Sequence, residues 1–142
     1  MTKSQVRDLF NLWNDALATL DSTKVADRYS KCAVLLPTLS NIPRNTRELL
    51  IDYFNTLLLK KPQAVILSGD IIIGENWCQD VGIYEFTLRS SETKVRCRYT
   101  FFYVFEDGEW KIAHHHSSKM PEEFFGNYND HVASLVSTNA SV

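Results

Sequence analysis

Lys94-Val-Arg-Cys-Arg-Tyr-Thr-Phe-Phe-Tyr-Val-Phe105, then Glu106-Asp-Gly-Glu109, then Trp110-Lys-Ile-Ala-His-His-His-Ser-Ser-Lys-Met-Pro121 read as one continuous signal. Two runs of β-branched and aromatic residues flank Asp107-Gly108, the dipeptide favoured by a tight type I′ turn because both central residues need positive φ. The stretch predicts a long hairpin. With Asp107 and Gly108 as the loop, Phe105 faces Trp110, Tyr103 faces Ile112, Phe101 faces His114 and Tyr99 faces His116, since antiparallel partners recede symmetrically from the turn. Alternation then puts His114 and His116 on the aromatic face with Tyr99, and Arg96, Arg98, Thr100, Phe102, Val104, Ala113 and His115 on the other. A β-bulge would exchange these assignments.

Upstream of the hairpin the period is helical. Val6, Leu9, Phe10, Trp13, Leu17 and Leu20 recur at three and four, predicting an amphipathic helix over about 4–20. A shorter helix over about 22–29 follows, capped by Asp21 or Ser22. A third begins at Asn45-Thr46-Arg47-Glu48, buries Leu49, Leu50, Tyr53, Phe54, Leu57 and Leu58, and stops before Pro62. Residues 33–36 read as a short strand and 38–43 as an irregular edge piece. After Pro62 the chain reads as strands over about 64–67, 70–73, 77–88, 95–105 and 110–117, broken by Ser-Gly-Asp, Gly-Glu-Asn and Arg-Ser-Ser-Glu. Helices first and a meander afterwards predict an α+β fold, with three N-terminal helices covering the apolar face of the sheet. Residues 1–142 are expected to form one domain, with 122–142 as a tail in which Val132, Leu135 and Val136 can make one amphipathic turn.

A chain of 142 residues with a formal net charge of −2 has no basic field for nucleic acid or an anionic membrane. Its apolar runs, such as Leu57-Leu58-Leu59 and Ile71-Ile72-Ile73, are too short to span a bilayer. Cys32, Cys78 and Cys97 lack zinc-knuckle or CxxC spacing, so a reduced, cytoplasmic setting is expected. The Asn139-Ala140-Ser141 sequon reads as a chance match in a polar tail. Nucleophile elbows, phosphate loops and dinucleotide fingerprints are absent from the sequence, and no cofactor is expected.

This order of elements, with Ile73-Gly74-Glu75, Tyr84 and the run Asp107-Gly-Glu-Trp-Lys-Ile-Ala-His-His-His-Ser117, resembles the association or hub domain of calcium/calmodulin-dependent protein kinase II. The likeness is strongest to stand-alone bacterial members and spans about residues 4–121. It implies a nuclear transport factor 2-like fold, a curved and mostly antiparallel sheet wrapped around helices to make a cone with a deep pocket. It also implies homodimers built into rings. Superfamily relatives include isomerases, dehydratases and cyclases, and bacterial members are often labelled oxidoreductases. Two departures stand out: Phe86 and Phe101 hold the positions nearest to pocket arginines of the kinase hub, and Ser117 replaces an arginine that follows the second histidine in many hubs. Phosphoryl-transfer motifs are absent.

Two readings of function follow. In the first the chain is a homo-oligomeric assembly domain, with Arg96, Phe102, Val104, Ala113 and His115 at the subunit contact, because a monomer rarely exposes such an apolar face. In the second, small-molecule chemistry occupies the pocket, with Tyr99, Arg98, His114 and His116 as its polar groups, and a partly buried histidine serves as acid or base. A small carboxylate fits those groups through charge-assisted hydrogen bonds. The histidines read equally as structural residues at a sheet end, and the two arginines as solvated, as interface groups, or as intrachain partners of Glu85 and Asp80. A metal needs a third ligand beyond the His pair, with only His131 and a few carboxylates available, and none is expected.

Overall fold

The computed structural model describes residues 1–122 and 128–140. Helix α1 (Lys3–Ala18) opens on a capping box, in which the Thr2 side chain accepts from the Gln5 backbone and the Gln5 side chain from that of Thr2. Its buried stripe is Val6, Leu9, Phe10, Trp13, Ala16 and Leu17. Helix α2 (Ser22–Ala26) is capped by Asp21 and ends sooner than the sequence suggests, because Tyr29 already belongs to strand β1 (Tyr29–Leu36). Helix α3 (Arg47–Leu57) starts on Thr46, whose hydroxyl accepts from the Leu49 N–H. A 3₁₀ turn (Leu58–Lys60) leads through left-handed Lys61 into Pro62.

Strands β2 (Pro62–Ile73), β3 (Trp77–Leu88), β4 (Thr93–Glu106) and β5 (Glu109–Lys119) complete one five-stranded sheet of order β1-β5-β4-β3-β2, in which only the β1–β5 pair is parallel. The α+β class and the curved, mostly antiparallel sheet wrapped around three helices are as the sequence predicts. The core lies between them, with Trp13, Leu17, Phe54, Tyr84, Phe101 and Tyr103 among its largest fully buried side chains. No helix among the described residues is long and apolar enough to cross a membrane.

Two irregularities shape the sheet. The Ser-Gly-Asp break divides nothing: β2 runs unbroken through it, and its register against β3 shifts between Ile66 and Ser68, so Leu67 is an extra residue. Gly69 then pairs with Gly82, and a Cβ on Gly82 would run into the Ser68 carbonyl, so the strands approach there as only glycine permits. The second irregularity lies in the hairpin. Asp107 and Gly108 both have positive φ, as the turn requires, and Phe105 pairs with Trp110 and Tyr103 with Ile112. Phe102, however, pairs with His114, leaving Ala113 as a bulge. Beyond it Phe101 faces His115, Thr100 faces His116 and Tyr99 faces Ser117, one position away from the expected pairs.

In the tail, Tyr128–Ala140 forms helix α4, longer than the single turn expected, with Val132, Leu135 and Val136 exposed. The His131 side chain and residues 141–142 lie outside what is described.

Candidate active site

The Ala113 bulge reverses the histidine assignments. His115 points into the cone and is buried, whereas His114 and His116 point outward. The subunit-contact expectation for His115 and the pocket expectation for His114 and His116 are therefore corrected, because two residues of β5 oppose one of β4 at this point. His114 Nδ1 lies 3.0 Å from the Val34 carbonyl and joins β5 to β1. Arg98, whose neighbours across the ladder are Ile83 and Ser118, is exposed on the outer face and not in the pocket. Arg96 shares that face and donates from Nε to Glu85 Oε2 at 2.9 Å, so its intrachain alternative is realised. Phe102 and Val104 lie where expected, on the outer face, and Ala113 is the bulge itself. Tyr99 does point inward, but its hydroxyl donates to Asp80 Oδ1 at 2.8 Å, and Asp80 takes Arg7 Nε at 3.0 Å. Asp80 thus pairs with a helix arginine, not with Arg96 or Arg98.

Around His115 a set of hydroxyl groups forms a connected line. Trp13 Nε1 donates to the Tyr29 hydroxyl at 3.1 Å, which lies 2.8 Å from His115 Nδ1. His115 Nε2 lies 3.1 Å from the Tyr84 hydroxyl, which donates to Ser117 Oγ at 2.6 Å. Thr38 Oγ1 donates to the same Ser117 oxygen at 2.7 Å. Phe101 stacks on the imidazole at a centroid distance of 4.0 Å, and Trp13 meets it edge-on.

The direction of this line can be assigned from its members. An indole N–H only donates, so Tyr29 accepts there and gives its own hydrogen to Nδ1. Burial holds the His115 imidazole well below its ordinary pKa, with lesser effects from the flanking histidines. The neutral ring then carries its hydrogen on Nε2 and donates to Tyr84. Burial likewise pushes the Tyr29 and Tyr84 phenols well up, so both keep their protons. Every hydrogen therefore points from Trp13 toward Ser117. Ser117 and Thr38 own two hydroxyl hydrogens between them, and their mutual bond uses one. The other O–H is held by the Cys97 sulfur, to which both hydroxyls hydrogen-bond, a weak acceptor that a ligand oxygen can displace.

That end of the line opens into a cavity of about 190 Å³. Leu35, Phe54, Leu57, Phe86 and Val95 give it apolar walls, its polar groups include Thr38, Ser117 and His115, and Lys60 and Lys119 also line it. Among the described residues no carboxylate lines it. The site thus offers a pre-polarised hydrogen-bond donor in an apolar pocket, suited to an acceptor oxygen. No group of three or more His, Cys, Asp or Glu side chains converges as a metal site among the described residues.

Sequence reading does not single out Tyr29 or Thr38 for this site, and it weighs Ser117 only as the place of a missing arginine. Tyr29 arrives from β1, which pairs with β5 in parallel, and Thr38 from the segment just after it; no local pattern near the histidines announces such a partner.

Comparison with known proteins places this geometry in a family. The profile of the calcium/calmodulin dependent protein kinase II association domain matches residues 2–121. The chain belongs to this association-domain family. A Xanthomonas campestris protein, described as a candidate association domain of the same kind, is 45% identical with a TM-score of 0.81, over 84% of this chain and 88% of that one. More distant solved structures share the fold of this association domain. A nuclear transport factor 2-like protein from Pseudomonas putida KT2440 is 14% identical, with a TM-score of 0.72 over 88% and 90% of the two chains. The iota-carbonic anhydrase of a cyanobacterium, solved with bicarbonate, is 20% identical, with a TM-score of 0.76 over 87% and 94%. No curated protein sequence matches the chain.

Proposed function

We propose that this association domain assembles with copies of itself and that its pocket interconverts carbon dioxide and bicarbonate. The observation that carries the pocket reading is the oriented line from Trp13 through Tyr29, His115 and Tyr84 to Ser117, ending on one hydroxyl hydrogen at a cavity whose described walls are mostly apolar. Carbon dioxide is apolar and small, which suits the walls. Negative charge develops on its oxygen as water adds, which suits a donor held in a low-dielectric site. Bicarbonate is the small carboxylate-like anion that results, and Lys60 and Lys119 at the cavity supply favourable charge for it. Its likeness in fold to an enzyme solved with bicarbonate supports the choice of this chemistry over other members of the dehydratase and isomerase range.

In this reading Ser117, with Thr38 beside it, holds the oxygen that becomes negative. Tyr84 and neutral His115 polarise Ser117 from behind, and Trp13 and Tyr29 fix the tautomer of the ring. Apolar walls keep bulk water from competing for the donor.

Stopped-flow hydration of carbon dioxide, followed with a pH indicator, tests this. The wild-type chain at micromolar concentration should accelerate hydration, and Ser117→Ala should lower kcat by roughly 10²–10³-fold, the usual cost of one such donor. No acceleration by a folded wild-type protein would refute the pocket reading.

Assembly is supported by the outer sheet face, where Trp77 stacks on Phe102 at 5.6 Å, with Val104 and the exposed Ile72 nearby. A contiguous apolar surface of this kind marks a contact, and the family is one of association domains.

A further inference from the structure

Adding water to carbon dioxide releases a proton, and the inner line cannot take it. His115 has both ring nitrogens engaged, and each hydrogen in the line already points toward Ser117. Resting on the carbon dioxide reading, the question is which group carries that proton away.

A second concavity lies against the 37–43 segment. Pro37, Thr38, Ser117 and Lys119 line both it and the inner cavity, so the Thr38–Ser117 pair stands between the two. Of the described side chains lining the outer concavity, His116 and Lys119 are the titratable ones. A lysine ammonium has no lone pair to accept with. His116 is exposed, and its neighbours in the sheet, Thr100 on β4 and Leu36 on β1, carry no charge. A neutral imidazole, by contrast, carries a ring nitrogen with a lone pair and can both take and return a proton.

We infer that His116 is the proton carrier between the Ser117–Thr38 end of the site and solvent. The water oxygen bonds to carbon, a C=O electron pair moves onto the oxygen held by the donor O–H, and the proton lost by the water passes through solvent in the outer concavity to the His116 imidazole, then to buffer. In the reverse direction His116 returns the proton that lets hydroxide leave as water. His114 lies outside this route, since it does not line the concavity and its Nδ1 is held by the Val34 carbonyl.

Exchange of ¹⁸O between carbon dioxide and water, followed by mass spectrometry on the full chain, separates interconversion from the proton-dependent release of labelled water. In dilute buffer, His116→Ala should lower the ratio of water release to interconversion by roughly 10²-fold, and added imidazole should restore it. His114→Ala should keep the wild-type ratio. His116→Gln gives the same readout should alanine disturb the fold. A wild-type ratio in the folded His116 variants, or an equal loss in His114→Ala, overturns the inference. Absence of any exchange by the wild type would overturn the carbon dioxide reading, and this inference with it.

Discussion

Acidification should destabilise this protein through one imidazole. His115 is buried at 2% exposure, and its pKa in the fold is depressed by burial. In the unfolded chain it regains the ordinary histidine value near about 6.5. Below that pH the unfolded state binds a proton that the folded state refuses, so stability rises with pH there and is lost as pH falls from about 6.5 toward the depressed folded value. One proton gives a limiting slope of about 1.4 kcal/mol per pH unit, and integration from about pH 7.5 to 5.5 gives a loss of roughly 1.4 kcal/mol.

Urea unfolding at fixed protomer concentration measures this, since self-association would otherwise shift the midpoint. His115→Phe provides the control. It keeps a ring against Phe101 but removes the partner of both Tyr29 and Tyr84, which should cost about 1–3 kcal/mol near pH 7.5. The variant should lack the acid loss, so the two stability curves converge as pH drops. Asp80, whose carboxyl is raised by burial, contributes in the opposite sense: its stabilisation is present below the unfolded carboxylate pKa and is lost as pH rises through the folded value. It is common to both proteins and cancels in the difference. Parallel curves, separated by a constant amount across that range, would refute a buried neutral His115.

Two further outcomes are expected. Trp13→Ala should cost about 3–5 kcal/mol in the same unfolding assay, because the indole is 1% exposed and packs against Phe10, Tyr84 and Phe101; a change under about 0.5 kcal/mol would remove it from the core. Phe102→Glu should weaken self-association more than folding, since it sets an unpaired charge in the proposed contact face; light scattering at micromolar concentration should find wild-type particles of at least twice the 16.3 kDa protomer mass, and a wild-type monomer would overturn the assembly reading.

What could be read from the residues alone was whatever local periodicity encodes. The α1 stripe of Val6, Phe10, Trp13 and Leu17 is legible because a helix must repeat its apolar face every three or four residues. The Asp107-Gly108 turn is legible because few dipeptides tolerate two positive φ values. Register partners far from the turn are not encoded this way. Tyr29 joins the site through a parallel pairing across more than eighty residues of chain, with a hydrogen bond to His115 separated by 86 positions. Gly82, which lets β2 and β3 close together, is a glycine inside an otherwise strand-like run, and such a residue signals close approach without naming its partner.

The site itself turned on a single residue. With three consecutive histidines, period-two alternation always sends either one or two of them inward, and the sequence is compatible with both. Ala113 decides the matter by bulging, which trades two inward imidazoles for one. The energetic reason is visible in the partners. An inward His114 and His116 would place two imidazoles where the core offers one pair of tyrosine hydroxyls. An inward His115 meets Tyr29 on one nitrogen and Tyr84 on the other and stacks on Phe101. A buried polar group is tolerated when both of its hydrogen-bonding atoms are satisfied. The same bulge carries Ser117 inward behind Tyr84, so the residue that fixes the fold at this point also fixes which hydroxyl ends the line. Deleting Ala113 should therefore make the ladder regular without moving the site: Phe102 stays opposite His114 and Phe101 opposite His115, so His115 and Ser117 keep facing inward and the pocket chemistry survives, whereas inserting one further residue after Ala113 within the ladder should turn His115 and Ser117 outward together and abolish it.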